Sequence, residues 1–354
     1  MRSSAESWVE SLSPWPAEFG LDRMRALLAE LGEPQRRFRA VHVVGTNGKS
    51  TATRTIAALL GAEGLKVGAY TSPHVSGWSE RIQVCEGEAD FEAAVERVRP
   101  VAERLEATQF EVLTAAALAE FAAARVDAAA VEAGLGGRWD ATNVLDAPVV
   151  LLTNVGLDHT QVLGDTRDQI ATEKLAVVRP GAIAVLPDRE FAGLVAGARI
   201  VVGGAREAAE ALLGRQVDAH VDVRLPGRLE RRGRELWDGA HNAEGVEWLL
   251  ERLHDRRHVL CVSILADRNA ADLLERLARA GSSLVATTSS NPRALPAGAL
   301  AELARPYFEW IESEQNPFTA LERARRLAGS DGHVLVTGSL YLLADLHRQD
   351  RRVP

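Results

Sequence analysis

The stretch RAVHVVGTNGKST, residues 39–51, runs from a short apolar segment through a glycine-framed turn into a helix-forming sequence. Arg39 to Val44 has the β-branched apolar character of a buried strand, and Ser50 to Glu63 places small and apolar residues at helical spacing. Strand, glycine turn and helix in that order are the setting of a phosphate loop. Gly45 and Gly48 permit the tight turn. The amides of Thr46 and Asn47, with the positive end of the helix, then face an anion, and Lys49 adds a point charge. A hydroxyl from Ser50 or Thr51 is available to magnesium.

Outward from this stretch the alternation continues. A strand is predicted from Lys66 to Thr71, helices over Phe91 to Arg104 and Glu111 to Ala124, and strands over Ala128 to Glu132 and Pro148 to Thr153. Arg189 to Arg224 is weakly patterned. Beyond Leu225-Pro226-Gly227-Arg228 the alternation resumes, with strands His258–Ile264, Ser283–Thr287 and His333–Thr337 and helices Ala270–Ala280, Pro296–Leu303 and Pro317–Leu327. The pattern predicts an α/β protein. A P-loop NTPase-like domain over 1–225, with a mostly parallel sheet, is followed by a smaller Rossmann-like domain over 226–354. Function should gather at the carboxyl ends of the strands.

Polar residues do collect there. Thr71-Ser72-Pro73-His74 follows the second strand, and Glu80-Arg81 is placed to tie that loop down or to meet substrate. Glu132 ends a buried strand, where a carboxylate is costly without a cation, so it reads as a magnesium ligand. Asp158 and His159 follow another strand, in Thr153-Asn154-Val155-Gly156-Leu157-Asp158-His159. In the second domain Asp238, His241 and Asn242 cluster at a strand end, with Arg228, Asp267, Arg293 and the Thr337-Gly338-Ser339 turn as further polar positions.

Bulk properties exclude several classes. A net charge of -8 argues against a general nucleic-acid binder, and no long apolar run suggests a membrane span, so a cytoplasmic protein is expected. Cys85 and Cys261 lie far apart and read as small buried hydrophobes rather than a disulfide or zinc site. Of 41 basic residues only Lys49, Lys66 and Lys174 are lysines; the scarcity suggests positions where a guanidinium does not serve, with chance survival of a few lysines the alternative, and Lys66 reads as a surface residue. Lys174, on a helix begun near Thr166, otherwise reads as a solvated side chain, and local sequence does not place it in a site.

The ordered motifs GTNGKST, TSPH with ERI, QFEVLTAAA, EAGLGGRWDATNV, TNVGLDHTQVLG, IATEK, LPGR, DGAHN and VTGSLYL resemble the folylpolyglutamate synthase and dihydrofolate synthase family of the Mur ligase superfamily, over about residues 15 to 345. The resemblance implies ligation of L-glutamate to dihydropteroate or to the last glutamate of a folate, driven by ATP through an acyl phosphate, in a monomer. It implies two magnesium ions at Ser50 or Thr51, Ser72, Glu132 and His159, and a carbamylated Lys174 among catalytic residues Lys49, Glu132 and His159. It implies ATP contacts from Gly45 to Thr51 and from Arg228 and Asp238, glutamate contacts from His241 and Ser339, and a pterin pocket at Thr108, Phe110, Asp140 and Ala141. Two departures stand out. Ser50 follows Lys49 directly where the family usually has an intervening glycine, and the stretch from Lys174 to Arg228 is short and lacks the expected His-Gln and Asn-Ala-Ala motif. A Mur-type ligase of another substrate and a non-catalytic nucleotide-binding relative are the alternatives.

Overall fold

A computed structural model describes residues 3–16, 18–254 and 257–350, with the backbone alone at 349 and 350. Two compact units emerge, one of 1–74 and 78–223, the other of 75–77 and 224–354. The first is built on eight strands: β1 (Arg39–Val44), β2 (Val67–Tyr70), β3 (Ile82–Val84), β4 (Gly87–Glu88), β5 (Ala128–Glu132), β6 (Val149–Leu152), β7 (Ile183–Leu186) and β8 (Arg199–Val202). Their order is β4-β3-β2-β5-β1-β6-β7-β8, parallel from β2 to β8 and closed at one edge by the antiparallel β3 and β4. β1 and β5 are buried on both faces, as the alanine and valine content of both strands requires.

Register brings the functional positions level. Val43 pairs with Glu132 and Val44 with Leu152, so Gly45, Glu132 and Thr153 emerge together at one edge of the sheet. The helix Lys49–Ala62 covers one face, burying Ile56, Leu59 and Leu60 against Val41, Val43 and Ala130. The other face is covered by the helices Phe91–Arg104 and Gln109–Ala124. Two helices that the sequence reading left unassigned, Ser4–Ser11 and Asp22–Glu30, add Val9, Met24, Leu27 and Leu28 to that same core. They bring the segment between them, including Trp15 and Phe19, to the end of the sheet where the site lies.

The stretch read as weakly patterned contains β8 and a helix, Ala205–Leu213. β8 closes the sheet as an edge strand that buries no residue fully, so it lacks a continuous apolar run. The helix buries only Ala208, Ala209 and Leu212. A second correction concerns Cys85. It is exposed at positive φ in the turn between β3 and β4, whereas Cys261 is buried, its thiol pushed up to about 12 by desolvation.

The second unit carries β9 (Glu230–Arg232), β10 (Glu235–Trp237), β11 (His258–Val262), β12 (Ser283–Ala286), β13 (Trp310–Ser313) and β14 (His333–Thr337). Their order is β13-β12-β11-β14-β10-β9, all parallel except β9. β13 went unread because it is an edge strand whose residues are all partly or fully exposed.

Candidate active site

The phosphate loop is held from the neighbouring strand end. Gly48 sits at φ +78° as the residue before the helix Lys49–Ala62, a left-handed conformation that glycine adopts freely. A Cβ on Gly45 would lie 1.9 Å from the Thr153 hydroxyl, so only glycine fits there. Thr153 Oγ1 donates to Asn47 O at 2.7 Å, and Asn154 Oδ1 accepts from Thr46 N at 3.2 Å and Asn47 N at 2.8 Å. Lys49 Nζ donates to Thr46 O at 3.2 Å.

Sequence reasoning took this second motif for Asp158 and His159 and passed over Thr153 and Asn154. Their signal was a pair of polar residues directly after a buried strand adjacent to the loop strand. Asn154→Ala removes the side-chain acceptor of two loop amides, so the KM for ATP should rise about tenfold with little change in melting temperature. Steady-state titration of ATP measures this, and an unchanged KM would mean that the main chain holds the loop unaided.

Glu132 is 1% exposed. Its Oε1 accepts from the Ser50 hydroxyl at 3.1 Å and its Oε2 from the Ser72 amide at 3.0 Å, so the structure joins the phosphate loop, β5 and the loop after β2 on one carboxylate. Of the two candidate hydroxyls it is Ser50 that faces Glu132, while Thr51 is exposed. A serine hydroxyl and a carboxylate are hard oxygen donors of the kind magnesium takes. Among the described residues no group of three or more His, Cys, Asp or Glu is arranged to hold a metal, so a cation here would depend on hydroxyl and phosphate oxygens as well. His159 stands at φ +52°, its amide donating to Asp158 Oδ1 at 2.8 Å and its Nε2 lying 3.8 Å from that oxygen.

The loop after β2 is tied down by the Glu80-Arg81 turn. Thr71 N donates to Arg81 O at 2.9 Å, and Arg81 Nε to His74 Nδ1 at 3.0 Å. The buried guanidinium of Arg54 donates to Glu80 O, and desolvation pulls its pKa down to about 10. Arg54 was not among the expected residues, although an arginine within the apolar stripe of the phosphate-loop helix was a readable signal.

Lys174 is not on a solvated face. The helix Arg167–Leu175, capped by Thr166, buries it to 4% exposure, and its Nζ donates to Gly45 O at 2.8 Å beneath the phosphate loop. Desolvation, then the nearby charge of Lys49, lowers its pKa to about 7. Lys66 is exposed, as a surface residue would be.

Thr108, Phe110, Asp140 and Ala141 all line one cavity of about 310 Å³ in the first unit. Its wall also includes Trp15, Phe19 and Trp139, each about half exposed, which sequence reasoning did not connect to the pocket. Thr108 is committed to Glu111, whose Oε2 accepts from its amide at 2.8 Å and its hydroxyl at 2.7 Å. Asp140 is 6% exposed, and burial raises its pKa against the donors gathered on it. A Cβ on Gly134 would meet the Phe110 ring at 2.5 Å. Gly134→Ala should therefore displace that ring and raise the KM for the ligand of this cavity while leaving the KM for ATP alone. Equal effects on both would point to general damage.

In the second unit, Asp238 is 3% exposed and accepts from Leu229 N and Ala240 N, both at 2.9 Å. Burial raises its pKa and the charge of Arg228 opposes that. His241 Nδ1 donates to Gly239 O at 2.7 Å, and Gly338 N donates to Ala240 O at 3.0 Å, which brings the Ser339 turn alongside. Arg228, Asp238, His241 and Ser339 thus surround one turn, whereas Asp267 and Arg293 pair with each other at 2.7 Å.

A phosphate loop and a buried lysine beneath it in one unit, with a second mostly parallel α/β unit, define a Mur-type ligase. Residues 43–220 match the Mur ligase middle domain and 227–340 the Mur ligase glutamate ligase domain. The dihydrofolate synthase/folylpolyglutamate synthase of Bacillus subtilis (strain 168) is 30% identical across 98% of this chain and 98% of the relative. The folylpolyglutamate synthase of Mycobacterium tuberculosis, solved with ADP, superposes with a TM-score of 0.88 at 29% identity, covering 97% of this chain and 96% of that one. Escherichia coli FolC with DHPP and ADP gives 0.87 at 28% identity over 99% of both chains. The chain belongs to the folylpolyglutamate synthase/dihydrofolate synthase family of Mur ligases, ATP-dependent enzymes that ligate glutamate. The alignment with the Bacillus relative spans 424 positions, at least 70 more than the 354 residues here (424 − 354 = 70), so the relative carries segments that this chain lacks. Among the described residues no helix is long and apolar enough to cross a membrane.

Proposed function

We propose that this enzyme joins L-glutamate to dihydropteroate, to the terminal glutamate of folates, or to both. The supporting observation is that the four residues matched to a pterin pocket line a single cavity in the unit that holds the phosphate loop. In this reading 1–225 binds ATP and the pterin, and 226–354 binds glutamate. A carboxylate oxygen of the acceptor attacks the γ-phosphorus, the bond to ADP breaks, and an acyl phosphate forms. The glutamate amine then attacks the acyl carbon, phosphate departs, and the amine proton is lost to phosphate or water. Positioning and charge compensation carry most of the rate.

In this reading Gly45 to Thr51 cradle the phosphates and Lys49 supplies charge, Arg228 and Asp238 are further nucleotide contacts, and His241 and Ser339 are glutamate contacts. Ser50, Ser72, Glu132 and His159 are the residues that would hold magnesium, which when bound neutralises phosphate oxygens. The neutral amine of Lys174 is the form that adds carbon dioxide, and the carbamate would present a carboxylate near the phosphate loop. Burial of Lys174 beneath that loop favours catalysis over a purely nucleotide-binding role. The enzyme would act as a monomer in the cytoplasm.

The test is phosphate release from ATP in the presence of L-glutamate with either dihydropteroate or tetrahydrofolate. Stimulation by at least one acceptor is expected, and none by either would refute the reading.

A further inference from the structure

We propose that His42 is a positioning residue for the acceptor pocket, acting through Thr142 to fix the carboxylate of Asp140. The inference rests on the assignment of that pocket to the pterin.

His42 lies in β1, the strand whose main chain runs directly into the phosphate loop. It is 1% exposed and stands among apolar neighbours in a strand that is otherwise alanine and valine beyond its first residue, so a histidine there needs a reason. Its Nε2 lies 2.8 Å from Thr142 Oγ1, and Thr142 is itself fully buried. Thr142 Oγ1 donates to Asp140 Oδ1, and the Thr142 amide donates to the same oxygen at 3.0 Å. The Leu135 amide holds Asp140 Oδ2 at 2.8 Å. Asp140 in turn lines the cavity beside Thr108 and Phe110.

Proton counting sets the direction of this chain. A threonine hydroxyl has one proton, and an ionised carboxylate can only accept. The Thr142 proton therefore goes to Asp140, and His42 must donate its Nε2–H to Thr142. Burial, and then the charge of Arg179, keep the ring neutral, with a pKa lowered to about 3, so a single tautomer does the work. Arg179 is itself anchored to Asn143, in the same short turn as Thr142, by bonds of 3.0 and 3.3 Å. The chain ends on a group that burial urges toward its neutral form, and each donor it receives opposes that. A charged, fixed carboxylate is what a flat heterocycle with several N–H donors requires.

Two measurements decide the matter. In 15N-histidine-labelled parent enzyme, the His42 ring should show a protonated Nε2 and a bare Nδ1 from about pH 5 to 8. A protonated Nδ1 alone, or a charged ring, would overturn the relay, and this holds even if variants fold poorly. In kinetics, His42→Phe and Thr142→Val should each raise the KM for dihydropteroate about tenfold, the scale of one hydrogen bond to a charged group, with the KM for ATP unchanged. His42→Gln, which can still offer an N–H to Thr142, should recover most of the loss. The double variant His42→Phe/Thr142→Val should be no worse than either single one. A shift in ATP and dihydropteroate KM together, or no benefit from glutamine, would reduce His42 to a packing residue. Should the parent enzyme turn over no dihydropteroate, the substrate assignment itself fails. Turnover without the KM split removes the relay alone.

Discussion

A Lys174→Arg enzyme should lose about a thousandfold in kcat while still binding ATP, the scale on which removing one preorganised charge-stabilising group acts. Arginine stays protonated at any working pH and forms no carbamate, so the loss separates the chemistry of an amine from that of a generic cation. Space adds to the effect. Lys174 is 4% exposed and its Nζ already sits 2.8 Å from Gly45 O, so the wider guanidinium has little room. Lys174→Met controls for this, since it keeps the length without the charge. It should fold and be as inactive as the arginine variant.

The pH dependence of Lys174 follows from its lowered pKa. In the unfolded chain the amine titrates at the ordinary 10.5, and in the fold at about 7. Between those values the unfolded state binds more protons, so the uncarbamylated protein gains stability as pH rises from about 7 toward 10.5 and loses that gain as pH falls back to 7. Carbamylation needs the neutral amine, so activity in bicarbonate-limited buffer should rise through the same lower boundary. Loading with 13C-bicarbonate should add one carbamate carbonyl resonance that the arginine and methionine variants lack. Full activity of Lys174→Arg without bicarbonate dependence would remove the carbamate from the mechanism.

Glu132→Gln should cost two to three orders of magnitude in turnover, about the effect of deleting one charge-stabilising group, with the fold intact. The amide keeps one oxygen acceptor but turns an N–H₂ toward whichever of the Ser50 hydroxyl and the Ser72 amide formerly met the second oxygen. More important is the lost negative charge at the carboxylate that bridges the phosphate loop and the loop after β2. Activity measured against magnesium concentration should shift to higher metal and saturate lower, while nucleotide binding measured by calorimetry without metal stays close to the parent. Unchanged turnover at low magnesium would take Glu132 out of the cation site.

Much of this site is legible without coordinates. Gly45, Gly48 and Lys49 declare the loop because few sequences place glycine, amine and hydroxyl between a buried strand and a helix. Glu132 declares itself because a carboxylate at the end of an Ala-Ala-Ala-Val strand is expensive to bury unpaired. What escaped reading was contributed from a distance in sequence. Asn154 acts on a loop 107 positions away, and Trp15 and Phe19 reach the pocket from a connection between two helices whose amphipathic character is modest.

The three lysines show where the line falls. Sequence alone placed Lys49 at the head of a helix behind a glycine turn, since its neighbours on both sides specify strand, turn and helix, the local geometry that aims backbone amides at an anion. It also determined the alternation of strands and helices that makes two α/β units. For Lys174, the motif IATEK supplied a family match, but nothing within its own helix says which face is buried. Only the packing of that helix under the phosphate loop, with Nζ 2.8 Å from Gly45 O and Lys49 close enough to repel a second charge, turns an ordinary ammonium into an amine that titrates near neutrality. The same holds for His42, Thr142 and Asp140. Their chain of hydrogen bonds spans about 100 residues of sequence, and it exists because strand register brings β1 beside the turn that follows β5.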